Sequence, residues 1–269
     1  MAGPSRVEQD VEQHIETIAR WITAGKHVVA FTGAGISTDS GIPDYRGPDG
    51  VWTRRDAGLP APNWRVPPGQ VAPNASHLAL VELERLGKLR YVITQNTDGL
   101  HRESGIRREH LAELHGNGRI LRCLGCGREY TRPEVGWDSR RWGPGYRTDP
   151  PVAGQPACAA CGGRLVSSVV NFGDPLPALE LARAGDHARR CDAMLVLGSS
   201  LVVEPAASLV GFAVAGGARV VLVNQGETPY DARVSLRVWA GIGDVLPPAV
   251  ALVRRAIGEP GPRPSRDGG

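Results

Sequence analysis

The chain has 269 residues, 41% apolar and 22% charged, with a formal net charge of +3. At roughly 150 residues per domain that is enough for one or two compact domains, and the composition excludes wholesale disorder and a repetitive fibre. So small a charge gives no reason of its own to expect nucleic acid, while 35 glycines and 22 prolines place much of the chain in loops and tight turns.

The longest apolar runs, such as residues 193–197 and 220–223, fall far short of the roughly 18 residues that cross a bilayer, so no membrane span is expected. The first ten residues, MAGPSRVEQD, carry two acids and no apolar stretch of signal-peptide length. A cytoplasmic protein is the resulting expectation.

Val11, Ile15, Ile18 and Ile22 recur at helical spacing and predict an opening helix that ends near Gly25. Residues 27–32, HVVAFT, read as a buried parallel strand that runs into the turn Gly33-Ala34-Gly35. Seven prolines between residues 43 and 73 exclude regular helix over most of that stretch. Leu78, Val81, Leu83 and Leu86 make residues 77–86 a second helix, and residues 89–94, LRYVIT, a second core strand. Residues 120–164 differ in kind, being polar, basic and bracketed by two cysteine pairs, and read as an inserted small module. After it come a strand at 168–172, a helix at 176–190, a strand at 193–197, a helix at 205–215 and a strand at 219–224. Residues 258–269 read as a disordered tail.

This alternation predicts the α/β class, a doubly wound, Rossmann-like parallel sheet with a small inserted zinc-binding module. Residues 1–46, 76–119 and 165–257 would form the discontinuous large domain, with 47–75 a proline-rich segment and 120–164 the small domain.

The cysteines are arranged as Cys123-Leu-Gly-Cys126 and Cys158-Ala-Ala-Cys161. Two such pairs present four thiolates, the donor set of a closed, structural zinc site, and disulfides are disfavoured in a cytosolic chain. Cys191 precedes a core strand and reads as a buried apolar residue. Trp137, Arg140, Arg141, Trp142, Tyr146 and Arg147 lie between the pairs. They read as the core and rim of a zinc module in preference to a surface that stacks on nucleic acid. The glycine turn lets backbone amides approach a diphosphate, because no Cβ intervenes. Thr38 stands where the full dinucleotide fingerprint has a third glycine, so a plain turn between strand and helix is an equal reading of this motif alone.

The turn continues as GAGISTDSGIPDYRG (33–47) and GVW (50–52), followed by Gln95-Asn96-Thr97-Asp98, Leu114-His115-Gly116-Asn117, the cysteine pairs, Gly198-Ser199-Ser200-Leu201 and Val223-Asn224. In this order, over residues 28–245, the chain resembles the sirtuin family of NAD-dependent protein deacylases. GPDGVWT, residues 76–101 and LAELHGN look most like the branch containing the chromatin-associated sirtuins.

The resemblance implies NAD as a co-substrate, zinc as a structural ion and an acyl-lysine protein or peptide as the partner, with no membrane partner and the oligomeric state left open. His115 would be the general base, a role suited to an imidazole whose ordinary pKa is about 6.5. Asn96 and Asp98 would line the nicotinamide pocket beside Gln95, at the carboxyl end of a parallel strand, although Asn-Thr-Asp also suits a helix cap. Gly33, Ala34, Gly35, Ile36 and Thr38 would face the cofactor from the glycine turn. Asp44, Tyr45, Arg46 and Trp52 would face it from the segment that follows, with Tyr45 where the family usually has Phe. Gly198, Ser199, Ser200, Asn224 and Gly243 would hold its adenosine half. Val170, Phe172, Gly173 and Val203 would bind the acyl-lysine peptide as an added strand along residues 169–173 and 202–205. His77, His101 and His110 read as helix or surface residues.

Asn171 departs from the large apolar residue that the family commonly has there. Acid-acyl chemistry would need a Tyr-x-x-Arg pair soon after the glycine loop, and residues 47–90 contain none. Tyr230 and Arg233 have the spacing but lie in the wrong segment, which makes them a surface coincidence and favours acetyl or a longer neutral acyl group. The rival readings are protein mono-ADP-ribosyl transfer on the same scaffold and a zinc-bearing reader of NAD or nucleic acid without turnover.

Overall fold

A computed structural model describes residues 6–258 of the chain. In chain order the elements are α1 (Arg6–Ala24), β1 (Val28–Thr32), a 3-10 turn (Ala34–Ser40), α2 (Val51–Asp56), α3 (Ala75–Arg85), β2 (Leu89–Thr94), α4 (Leu100–Ser104) and β3 (Leu111–Glu113). Next come β4 (Ile120–Cys123), β5 (Glu129–Thr131), α5 (Ser139–Trp142) and β6 (Leu165–Ser167). The chain closes with α6 (Ala178–Arg190), β7 (Ala193–Leu197), α7 (Ser208–Ala215), β8 (Arg219–Val223), β9 (Leu236–Val238) and α8 (Ile242–Ala256). The expected tail, from residue 259 on, lies outside the described residues.

Six strands form one sheet in the order β3-β2-β1-β7-β8-β9, and every pairing is parallel. This is the Rossmann-like order, with the topological switch between β1 and β7. β1 and β7 are buried along their whole length because helices cover both faces of the sheet. On one face Ile18 and Ile22 of α1, Leu80 and Leu83 of α3 and Val245, Ala249 and Val253 of α8 pack on Val28, Ala30 and Leu195. On the other, Ala184 and Ala188 of α6 and Leu209, Val210 and Ala213 of α7 pack on Val29, Phe31, Ile93 and Val196.

Residues 77–86 do form a helix, but it begins at Ala75, because the Asn74 side chain accepts from the amides of Ser76 and His77 and caps it. Two expectations need correction. Residues 168–172 are not a core strand: β6 ends at Ser167 and pairs with β4 in a separate three-stranded antiparallel sheet, order β5-β4-β6. The small sheet therefore takes residues 165–167, and the segment after them passes along the cavity described below, with the Ser168 amide donating to Ile120 O and the Val170 amide to His115 O, both at 3.0 Å. Tyr230 is not a surface residue; it is buried in the α6/α7 core with its hydroxyl against Gly211, and Arg233 stacks on its ring.

No helix among the described residues is long and apolar enough to cross a membrane.

Candidate active site

Register determines where the chemistry gathers. Glu113, Thr94, Thr32, Leu197, Val223 and Val238 are successive partners across the sheet, one residue from each strand. The turns that follow β1, β2, β3, β7 and β8 therefore open on one edge, at the carboxyl ends where open α/β sheets take their ligands. They surround a cavity of about 1380 Å³, larger than the roughly 300–1,000 Å³ of a site for one small molecule.

At the β1 and β7 ends the glycines serve packing between turns. A Cβ on Gly33 would lie 2.6 Å from the carbonyl oxygen of Gly198, and one on Gly35 2.7 Å from the Gly198 Cα. Gly198 itself has φ +66, a left-handed backbone that glycine adopts without strain. The Gly35 amide donates to Gly198 O at 2.9 Å, so the two turns are locked together.

The β2 end carries the polar cluster. Asn96, 9% exposed, donates from Nδ2 to Gly33 O at 3.1 Å and to Ser37 Oγ at 3.2 Å. Ser37 in turn donates to Asp98 Oδ2 at 2.7 Å, while Asp98 Oδ1 accepts from the Leu100 amide at 2.9 Å. Asp98 thus braces the start of α4 and faces the cavity at once. Gln95 donates to Ser199 Oγ at 2.7 Å, joining the β2 and β7 turns.

Behind this cluster, His101 meets Thr32 Oγ1 at 2.9 Å, and Thr32 donates to Thr94, whose Oγ1 accepts from the Asn96 amide. His77 and His101 stand on helices, as expected, but are buried rather than exposed. Burial holds them down to about 4 and about 3, so both are neutral in the fold.

His115 follows β3. Its Nδ1 lies 3.0 Å from Gln95 O, and a carbonyl can only accept, so Nδ1 carries the proton and Nε2 keeps its lone pair. Burial lowers its pKa from the ordinary value and outweighs the hydrogen bond to Gln95, which raises it. The ring is a neutral base at neutral pH.

Across the cavity the Arg46 guanidinium lies 4.1 Å from the centre of the Trp52 ring, and that ring also touches Tyr45 and Phe172. Burial raises the pKa of the Asp44 carboxyl, which accepts from the Gly47 amide.

Of the residues expected here, Gly33, Ala34, Gly35, Thr38, Asp44, Tyr45, Arg46, Trp52, Gln95, Asn96, Asp98, His115, Gly198, Ser199, Ser200 and Asn224 line the cavity, as do Val170, Phe172, Gly173 and Val203. Ile36 and Gly243 stand outside its lining. The Ile36 side chain is buried in the α1/α3/α8 core, and Gly243 packs on Asp39, where a Cβ would lie 2.7 Å from Oδ2. Sequence reasoning missed Ser37, the hydroxyl that ties Asn96 to Asp98; its signal was its place in the turn, two residues after Gly35. It also missed Trp64 and Arg65, which lie in the proline-rich segment, and Leu176 and Leu181, read only as part of a helix.

The four paired cysteines form a second centre. Their sulfurs all lie within 4.8 Å of one another and none is in a disulfide. A tetrahedral zinc with bonds of about 2.3 Å spaces its sulfurs about 3.8 Å apart. Cys123 to Cys161 is 3.5 Å and Cys126 to Cys158 is 3.6 Å, so the donor set fits. The Tyr130 hydroxyl reaches Cys158 Sγ at 3.2 Å and the Gly125 amide reaches Cys123 Sγ at 3.3 Å, contacts that orient the ligands. Cys191 is buried, with its Sγ donating to Ala188 O and its thiol pushed up to about 12 by burial.

A model of the Sir2 family matches residues 61–205. The chain is 40% identical over 232 residues to the NAD-dependent protein deacetylase SRT1 of Arabidopsis thaliana, covering 86% of this chain and 47% of that protein. It thus spans about half the length of the two plant relatives it matches. It is 38% identical over 266 residues to NAD-dependent protein deacylase 2 of Archaeoglobus fulgidus, covering 93% of this chain and all of that one. Among solved structures, a Sir2 homologue in complex with NAD has a TM-score of 0.67 at 34% identity, covering 90% of this chain and 95% of its own. A Sir2 enzyme bound to a myristoylated histone peptide has a TM-score of 0.65 at 34% identity, covering 91% and 98%. Matched nearly end to end by such a relative, and with its strand-end turns and cysteine cage in place, this chain belongs to the Sir2 family.

Proposed function

We propose that the chain is an NAD-dependent protein-lysine deacylase of the cytoplasm. It would take an acyl-lysine peptide, NAD and water to free lysine, nicotinamide and O-acyl-ADP-ribose. The observation that carries this reading is His115 held as a neutral base, its Nε2 free, beside the Ser37–Asn96–Asp98 cluster on one rim of the cavity.

NAD supplies a ribose carbon that becomes electrophilic as nicotinamide leaves, and the acyl oxygen of the substrate attacks there. Asn96 and Asp98, held by Ser37, orient the nicotinamide carboxamide; an ionised carboxylate accepts its N–H through a charge-assisted bond. Arg46, which lines the cavity with the turn after β1, would neutralise the diphosphate. Ser199, Ser200 and Asn224 serve the adenosine half. His115 Nε2 takes the proton of a ribose hydroxyl, and the hydrogen bond from Nδ1–H to Gln95 O holds the tautomer that this requires. Trp52 and Phe172, with ring centres 6.1 Å apart, add apolar surface to the cavity wall. The acyl-lysine peptide would pair as an added strand along residues 169–173 and 202–205. The absence of a Tyr-x-x-Arg pair among the lining residues favours a neutral acyl group. The cysteine cage would hold zinc as a structural ion.

Mass spectrometry of products from NAD with acetyl-, myristoyl- and succinyl-lysine peptides tests this reading. The expected product is acylated ADP-ribose from the neutral acyl peptides. Release of nicotinamide with the peptide still acylated would move ADP-ribosyl transfer ahead of it, and no reaction at all would refute the enzyme.

A further inference from the structure

The buried apolar cluster of the small module, built around Leu121, Trp137 and Leu165, contains no residue of the parallel-sheet domain. Hydrogen bonds from Arg132 to Arg119 O and Gly118 O and between Ser168 and Asn117 join the two, and charge adds a further contact with Glu129 on β5 as its meeting point. Arg122 of its own sheet donates to Oε1 at 2.8 Å; from the large domain, Arg102 donates to Oε2 at 3.0 Å and Arg108 stands 3.5 Å from Oε1. Burial by itself would raise the pKa of this carboxyl, but the Arg122 hydrogen bond and the charges of Arg102 and Arg108 hold it down to about 2.

The contact continues inward. Arg102 also donates from Nε to Glu113 Oε2 at 2.7 Å, and Glu113 Oε1 accepts from Asn117 Nδ2 at 2.6 Å. The Glu113 side chain is only 4% exposed, so water cannot take the place of either partner. Glu113 and Asn117 stand two residues before and two after His115. Asn117 Oδ1 accepts from the Arg119 amide at 2.9 Å, which fixes the far side of the turn.

We propose that Glu129 is a positioning residue for His115: through Arg102, Glu113 and Asn117 it makes the seating of the small module set the geometry of the catalytic turn. The proposal rests on the reading of His115 as the base. Glu129 lies outside the cavity lining. A displacement of about 1 Å at a base costs rate far more than it costs binding.

Glu129→Gln removes the charge and keeps the shape. The expected result is a roughly tenfold fall in kcat with the KM for NAD and for acetyl-lysine peptide within about twofold, full zinc content, and partial recovery in Glu129→Asp. Arg122→Gln, which removes only the partner inside the module, should leave kcat within about twofold. Hydrogen exchange gives a readout free of activity: the Gly116 and Gly118 amides, bonded to Glu113 O and Thr97 O, should exchange faster in Glu129→Gln while β7 and β8 do not. Unchanged kcat, unchanged exchange at those amides, or loss of zinc in step with kcat would each overturn the proposal. Were the parent enzyme to leave acyl-lysine untouched, the deacylase reading would fall and exchange alone would decide the role of Glu129.

Discussion

The parallel-sheet domain and the cysteine module are held together by different means. Continuous apolar layers cover both faces of the sheet, from Ile18 and Leu83 on one side to Phe31 and Val210 on the other. The module gathers Leu121, Trp137 and Leu165 with two of its own zinc-ligand candidates, Cys123 and Cys158, and adds three strands of three or four residues. So small a core cannot offset the entropy of ordering its loops, and a metal ion supplies the difference. The candidate active site lies at one edge of the first region, and Arg102 of that region meets Glu129 of the second.

The largest break in this contrast should come from the metal. Cys158→Ser, or chelation of the wild type, should release zinc and unfold residues 120–167, while the large domain keeps a cooperative thermal transition. Metal analysis with near-ultraviolet circular dichroism of Trp137 and Trp142 reads both, and undiminished zinc in Cys158→Ser would show the ligand set to be wrong.

Next in size is His115→Ala, which should lower kcat/KM by roughly 10²–10⁴. NAD affinity, measured by calorimetry, and melting temperature should stay near the parent values, because the ring lies at the rim of the cavity and outside the apolar layers. A variant that keeps its turnover would remove His115 from the mechanism.

Gly198→Ala tests the interlocked turns. Its φ of +66 and a Cβ 2.6 Å from the Gly35 backbone leave no room for adjustment. A loss of about 2–4 kcal/mol in urea denaturation is expected, and an unchanged midpoint would mean that the turns are looser than they stand here.

Acid should act last and on the large domain. His77 and His101 have an ordinary pKa of 6.5 but are held to about 4 and about 3 in the fold, by burial in both cases. The unfolded chain therefore binds protons that the folded chain refuses. This stability is whole above pH 6.5 and is lost as pH falls toward 4. The Glu129 contribution survives in that window, because its carboxyl titrates between 4.5 and about 2. Denaturation midpoints at pH 7, 5.5 and 4.5 check the sign. The acid limb of the rate should likewise lie below pH 6.5, since burial keeps His115 neutral there.

How much of this was legible follows from the kind of signal each element carries. β1, β2, β7 and β8 are short uncharged runs between helical patterns, and the glycine turn and the HGN and QNTD motifs mark their ends, so sheet and site could be read together. α8 could not be: Pro247 and Pro248 stand inside it and mask a helix that is stabilised by packing of Val245, Leu246, Val250 and Val253 against α1 and α3. β3 and β9 have three residues each, too few for any period to show. Residues 168–172 have the composition of a core strand, yet β6 before them pairs into the small sheet, and a strand's partner is a tertiary fact. Ile36 sits in the same motif as Ser37, and only the winding of the 3-10 turn sends one into the core and the other to Asp98.

The sequence by itself determined the family, the four thiolates and the alternation of strands and helices, because each depends on residue type at close spacing along the chain. The tertiary structure decided the rest. Strand register brought five turns, spread over more than half of the chain, to one edge of the sheet; burial held His115, His77 and His101 neutral; and the guanidiniums of Arg102 and Arg108 joined that of the neighbouring Arg122 on Glu129. Proximity across the sheet and exclusion of water act between residues that no local pattern connects.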